Sequence, residues 1–171
     1  MKILVLQGSA RLAGNTARLV KYFENGATSA GHEVQVFNVA TMKIAGCTGC
    51  ECCNEKSDGV CVIADDMKKV YKALEDAEVI VFASPVYYWG FTGALQSTIS
   101  RFYSIDRPSK AKKYAMILTS HSPNVYEPLV LQFGKIVNYL EGENAGVLTA
   151  FGDERTSQSK FDEAFDFGIN I

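Results

Sequence analysis

The stretch that decides the fold is KILVLQGSARLAGNTARL, Lys2 to Leu19. An apolar run, Lys2 to Leu6, stops at Gly8. From Asn15 to Ala27 the apolar residues Leu19, Val20, Phe23 and Ala27 then recur at helical spacing. A strand followed by a short glycine-bearing loop and a helix is the opening half of a βαβ unit, and the rest of the chain repeats the pattern.

Val34 to Val39 alternates apolar and polar residues, as a strand near a sheet edge does. Asp65-Asp66 opens a helix with Met67, Val70, Tyr71 and Leu74 on one face, the two acids suiting the positive end of its dipole. Glu78 to Ala83 (EVIVFA) reads as the most buried strand, stopping at Ser84-Pro85. A helix over Thr92 to Tyr103, a central strand over Tyr114 to Thr119 and a helix over Tyr126 to Leu140 follow. Val147 to Phe151 is the last strand and Phe161 to Phe167 a closing helix. Right-handed crossovers make the sheet mainly parallel, and 171 residues suit five strands in the order 2-1-3-4-5 in a single α/β domain, 1–171. Ligands then bind at the carboxyl ends of the strands, where the order reverses beside the first strand.

Two loops at that edge carry the chemistry. Gly8 to Leu19 lacks both the GxGxxG fingerprint and the P-loop lysine. It offers Ser9, Asn15 and Thr16 as hydrogen-bonding groups for a phosphate, Gly14 for close backbone approach and Arg11 as a positive charge, all at a helix N-terminus. A simple N-cap is the plainer reading of Asn15 and Ser9, weakened by the position of the loop. Ser84 to Leu95, SPVYYWGFTGAL, sets Tyr87, Tyr88 and Trp89 after Pro85 and Val86, where three aromatics together suit the border of a flat ring system.

GSxRxxGNT after the first strand and SPVYxWGxxGALxxxIxR after the third resemble the NADPH-dependent FMN reductases, flavodoxin-like three-layer proteins. The resemblance implies that Ser9, Arg11, Asn15 and Thr16 hold the FMN phosphate, with Gly14 in the same loop. It also implies that Pro85, Val86, Tyr87, Tyr88 and Trp89 run beside the isoalloxazine ring. The third ligand loop of that family contains glycine near the flavin. Here it reads TSHSPN, so Thr119, Ser120 and His121 are expected at the cofactor edge without that glycine. His121 is equally a polar residue closing a strand, and His32 a solvated turn residue.

All five cysteines fall within GCTGCECCNEKSDGVC, Gly46 to Cys61, in an insertion of about residues 44–64. The number is odd, and a leader segment is not expected, because five apolar residues before Gln7 are too few for a signal core. The chain is accordingly expected in the cytoplasm, where disulfides seldom persist. Cys47, Cys50, Cys53 and Cys61 give C-x2-C-x2-C-x7-C, a compact run suited to a cubane cluster. Structural zinc prefers two separated C-x2-C knuckles, and a thioredoxin-type pair leaves three thiols unexplained. Cys52 competes with Cys53, but the regular spacing favours Cys53; inert buried thiols are the plainest alternative. The segment, with GVCVIADDM (Gly59 to Met67) after it, resembles the iron–sulfur flavoprotein branch of the same family. That likeness implies a 4Fe-4S cluster on Cys47, Cys50, Cys53 and Cys61.

Seventeen basic side chains oppose nineteen acidic ones, a net charge of -2, which argues against a nucleic-acid or membrane partner. The expected function is an FMN-dependent oxidoreductase passing electrons between NAD(P)H, or a reduced protein carrier, and an unidentified small-molecule or protein acceptor. The resemblance adds a homodimer or homotetramer. Alternatives are a non-enzymatic electron-transfer flavoprotein and, further off, a zinc-stabilised binding module.

Overall fold

The structure, a computed structural model, describes residues 1–171. Five parallel strands, β1 (Lys2–Gln7), β2 (Glu33–Asn38), β3 (Val79–Pro85), β4 (Lys113–Ser120) and β5 (Glu143–Phe151), form one sheet in the order β2-β1-β3-β4-β5. The helices are α1 (Asn15–Ser29), α2 (Cys52–Glu55), α3 (Met67–Asp76), α4 (Gly93–Ser100), α5 (Glu127–Tyr139) and α6 (Gln158–Ile169). The expected order and flavodoxin-like class are observed.

Successive strand residues point to opposite faces, and the sequence fills both with apolar side chains. Leu4, Leu6, Ile80, Phe82, Met116 and Leu118 meet α3, α4 and α5 on one face. Ile3, Val5, Val81, Ile117 and Leu148 meet α1 and α6 on the other. Each fully buried Leu, Ile or Phe contributes roughly 1.5–3 kcal/mol. On the second face α1 and α6 cross so closely that a Cβ on Gly26 would strike the Phe165 carbonyl, and one on Gly168 the Phe23 carbonyl. β2 at the sheet edge keeps the alternating burial its sequence foretells.

Several boundaries move. β3 does not stop at Ser84-Pro85 but continues through both, because Ser84 and Pro85 stay in register with Leu118 and Thr119. β5 begins at Glu143, four residues before the apolar run, and its register with β4 shifts once, between Tyr114 and Ala115. The helix expected over Thr92 to Tyr103 ends at Ser100 and tightens into a 3-10 turn, Arg101–Ser104. The cysteine segment contains the one-turn helix α2, which no periodicity announced. No helix is long and apolar enough to cross a membrane.

Candidate functional site

The loops leaving β1, β3 and β4 are tied together at the carboxyl edge of the sheet. Gly8 donates its N–H to the Ala83 carbonyl at 2.7 Å and accepts from the Thr92 hydroxyl at 2.8 Å. A Cβ on Gly8 would lie 2.5 Å from Thr92 Oγ1 and 2.8 Å from Leu95 Cβ, so only glycine lets the first loop seat against α4. Thr16 and Thr119 share a buried hydrogen bond of 2.7 Å, and Val86 N–H donates to the Thr119 carbonyl at 2.8 Å. Ser120 Oγ meets the Tyr126 hydroxyl at 2.6 Å, and Tyr126 donates onward to the Ala150 carbonyl.

The N-cap of α1 is Gly14, and no side chain caps the helix. The first-turn amides at Asn15 and Thr16 thus face outward without the cap that Asn or Ser would supply, which suits an anion. Ser9 is buried and accepts from Arg11 N–H at 3.3 Å; Arg11 is exposed and Asn15 half-buried. The hydroxyl of Thr16 is committed to Thr119, so what Thr16 can offer an anion is its backbone N–H.

After β3, Tyr87 and Gly90 exchange backbone hydrogen bonds of 3.1 and 3.0 Å around Tyr88 and Trp89. Both central residues have positive φ, 50° and 58°. Two-residue turns of this hand normally use Asn-Gly, and bulky side chains there cost of order 1–3 kcal/mol each. The cost places Tyr88 97% exposed and Trp89 54% exposed at the tip. A groove of about 220 Å³ there is lined by Val86, Tyr88, Trp89, Ser120, His121, Ser122 and Val125. Pro85, Tyr87, Thr119 and the phosphate-loop residues do not line it. Roomier grooves of about 420 Å³ beside β2 and about 810 Å³ between α4 and α5 lie away from this edge.

The cysteine loop is built outward from two clamps. Asp66 accepts from Lys43 N–H, and Asp65 from the N–H groups of Ala45 and Met67, each at 2.9–3.0 Å. Arg101, 1% exposed, donates from Nη1 to Asp65 Oδ2 at 2.8 Å and to the Ala45 carbonyl at 3.0 Å. Its Nη2 donates to the Ile63 carbonyl at 3.3 Å. Both ends of the loop therefore close on one guanidinium. Burial opposes ionisation of Asp65, but the Ala45 N–H, the Arg101 guanidinium and the Met67 N–H outweigh it and hold the carboxyl below its usual range. In mid-loop the Tyr103 hydroxyl lies 2.8 Å from both carboxylate oxygens of Glu51, a residue at φ 57°.

Cys47, Cys50, Cys53 and Cys61 line one narrow recess with Arg101, Tyr103 and Ser104; Cys52 does not line it. Gly49, at φ 66°, donates its N–H to Cys47 Sγ at 3.4 Å. The Cys52 N–H, the Thr48 hydroxyl and the Cys52 thiol donate toward Cys50 and pull its thiol below the ordinary cysteine value, while Cys52, hydrogen-bonded to Cys50, is pushed up. No three His, Cys, Asp or Glu side chains converge closely enough to hold a single metal ion. Four thiols around one recess, two of them already accepting N–H groups, fit the donor chemistry of an iron–sulfur cluster better than that of one tetrahedral zinc.

Sequence reasoning missed Arg101, Asp65 as a clamp, Tyr103 and Ser100, whose hydroxyl accepts from Cys47 N–H at 3.0 Å. The available signal was an arginine closing an otherwise uncharged helix, Gly93 to Ser100.

The chain is similar to several known proteins. An iron–sulfur flavoprotein of Methanocaldococcus jannaschii is 34% identical over 101 residues, 59% of this chain and 51% of that protein. One from Archaeoglobus fulgidus is 33% identical over 115 residues, 67% of this chain and 51% of that protein. The chain thus spans about half the length of the curated relatives it matches. An NAD(P)H:quinone oxidoreductase from Methanothermobacter marburgensis superposes with a TM-score of 0.74 at 14% identity, covering 99% of this chain and 95% of that one, a likeness of fold. The model of the NADPH-dependent FMN reductase family matches residues 1–142. The chain belongs to the NADPH-dependent FMN reductase family.

Proposed function

We propose that this chain is an FMN-dependent oxidoreductase whose cysteine loop carries a 4Fe-4S cluster on Cys47, Cys50, Cys53 and Cys61. The carrying observation is that these four cysteines, and not Cys52, face one recess. The names of the archaeal relatives, iron–sulfur flavoproteins, support the same reading.

When bound, FMN supplies exchange of electrons in pairs or singly and the cluster exchange of one at a time, which suits a two-electron to one-electron converter. The protein's part is binding and orientation. Ser9, Asn15 and the first-turn amides of α1 receive the phosphate, with Arg11 adding positive charge. Tyr88 and Trp89 border the ring, and Ser120 and His121 close the opposite side of the groove. Thr92, capping α4, holds the phosphate loop to the aromatic turn through Gly8. Gly49 and Cys52 N–H groups orient the cysteine sulfurs. No side-chain acid or base is required. A homodimer or homotetramer belongs to the same proposal and is checked by light scattering.

The test is anaerobic oxidation of NADPH and NADH in the presence of a quinone acceptor. Turnover with either nucleotide supports the reductase. No turnover with either, together with rapid reduction by a ferredoxin, makes the protein an electron carrier instead.

A further inference from the structure

Arg101 holds more donors than the fold uses. Three contacts through Nη1 and Nη2 fasten the loop ends, and Asp65 balances the charge. Nε is buried with no hydrogen-bond partner. A buried unpaired donor on a charged group leaves its desolvation uncompensated, and this one belongs to a residue lining the recess with the four cysteines. The guanidinium has little freedom to turn away. Its side chain is pinned at three acceptors, and its own carbonyl accepts from the Tyr71 hydroxyl at 2.9 Å, which in turn receives the Ser104 hydroxyl.

A donor so placed answers a specific need. Four thiolates around a 2+ core leave a net charge of 2-, and uptake of one electron makes it 3-. Hydrogen bonds to sulfur stabilise the more negative state and raise the potential. Gly49 N–H and Cys52 N–H serve Cys47 and Cys50 from the loop itself. Cys53 and Cys61, deeper in the recess, receive no hydrogen bond from the loop backbone.

We propose that Arg101 is the positioning and potential-setting residue of the cysteine recess, its Nη groups fixing both ends of the loop and its Nε–H donating to a sulfur of the bound cluster. The inference rests on the cluster reading above. In Arg101→Lys a positive charge remains, while the planar fork and Nε are lost.

Wild-type and Arg101→Lys proteins are reconstituted anaerobically with iron and sulfide, checked by far-UV circular dichroism and by iron content, and titrated potentiometrically with dithionite. The expected result is a cluster in both, with the variant about tenfold less reduced at a fixed applied potential, about 59 mV lower for one electron. Tyr139→Phe, which loses the hydroxyl contact to Asp106 away from the recess, serves as the control and keeps the wild-type potential. An unchanged potential in Arg101→Lys overturns the inference while leaving the cluster standing. Wild-type protein that takes up no iron removes the cluster reading and this inference with it, before any potential is measured. Should the lysine variant not fold, pulsed electron paramagnetic resonance of dithionite-reduced wild type labelled with 15N-arginine decides. A 15N coupling to the cluster supports the donor, and its absence overturns it.

Discussion

Arg101 and Asp65, thirty-six residues apart, meet at 2.8 Å with side chains 1% and 11% exposed. One ion pair thus joins the end of α4 to the start of α3 and closes the cysteine loop between them. Removing one partner of a buried pair strands the other, a loss of about 3–5 kcal/mol. Asp65→Asn is expected to lose that much in urea unfolding. The folded carboxyl titrates below its unfolded value of about 3.9, so the contribution is complete above that pH and disappears as pH falls through the lower folded value. The wild type should show a steeper acid limb than the asparagine variant in unfolding measured from pH 2 to 6.

Tyr114 is fully buried and its hydroxyl has no partner, and burial pushes its pKa up to about 12. Tyr114→Phe removes an unsatisfied group and is expected to stabilise by about 1 kcal/mol. The raised value means that the neutral phenol favours the fold below about pH 10 and that this is lost as pH rises toward 12. Thermal unfolding at pH 7 and pH 11 tests both parts, the variant gaining more at the higher pH.

Tyr88 and Trp89 occupy left-handed backbone at the aromatic turn. Glycine at either position relieves about 1 kcal/mol of strain. If the turn exists to border the flavin, Trp89→Gly should melt higher yet bind FMN more weakly in a fluorescence titration. A variant that binds FMN as tightly as wild type would show the strained aromatics to be idle.

Gly8→Ala forces a methyl against Thr92 and Leu95. Overpacking of this kind costs about 1–3 kcal/mol, and here it also separates the Gly8 to Thr16 loop from α4. Stability and FMN affinity should fall together, and replacing Leu95 with alanine in the same chain should recover part of both.

Cys52 lies off the recess, which separates it from its neighbour Cys53. Cys52→Ser is expected to keep wild-type iron after reconstitution, and Cys53→Ser to lose most of it. Iron content measured on the two variants decides which member of the pair is the ligand.

Much of the fold is legible in the sequence itself. The apolar runs EVIVFA and YAMILT mark inner strands of a two-sided sheet, and right-handed crossovers with the chain length point to the strand order. The glycine and hydroxyl loop at Gly8 to Thr16 and the aromatic turn were found because they interrupt that periodicity at predictable places. What stayed hidden depends on contacts remote in sequence. Asp65 reads as a helix-start acid and Arg101 as one residue of the helix expected over Thr92 to Tyr103, and only their pairing across the fold reveals the clamp. Strand ends at Ser84-Pro85 and Glu143 were misplaced for a similar reason, being set by register with β4 rather than by local propensity. The left-handed backbone within that aromatic turn is not legible, because at Tyr88 and Trp89 it runs against the preference of their own side chains.

The most direct test of the central claim is a count of iron, acid-labile sulfide and FMN in protein isolated without oxygen. The account predicts about four iron, about four sulfide and about one FMN per chain. Zinc in place of iron with no sulfide, or the same iron and sulfide retained after serine replaces Cys47, Cys50, Cys53 and Cys61 together, would contradict it.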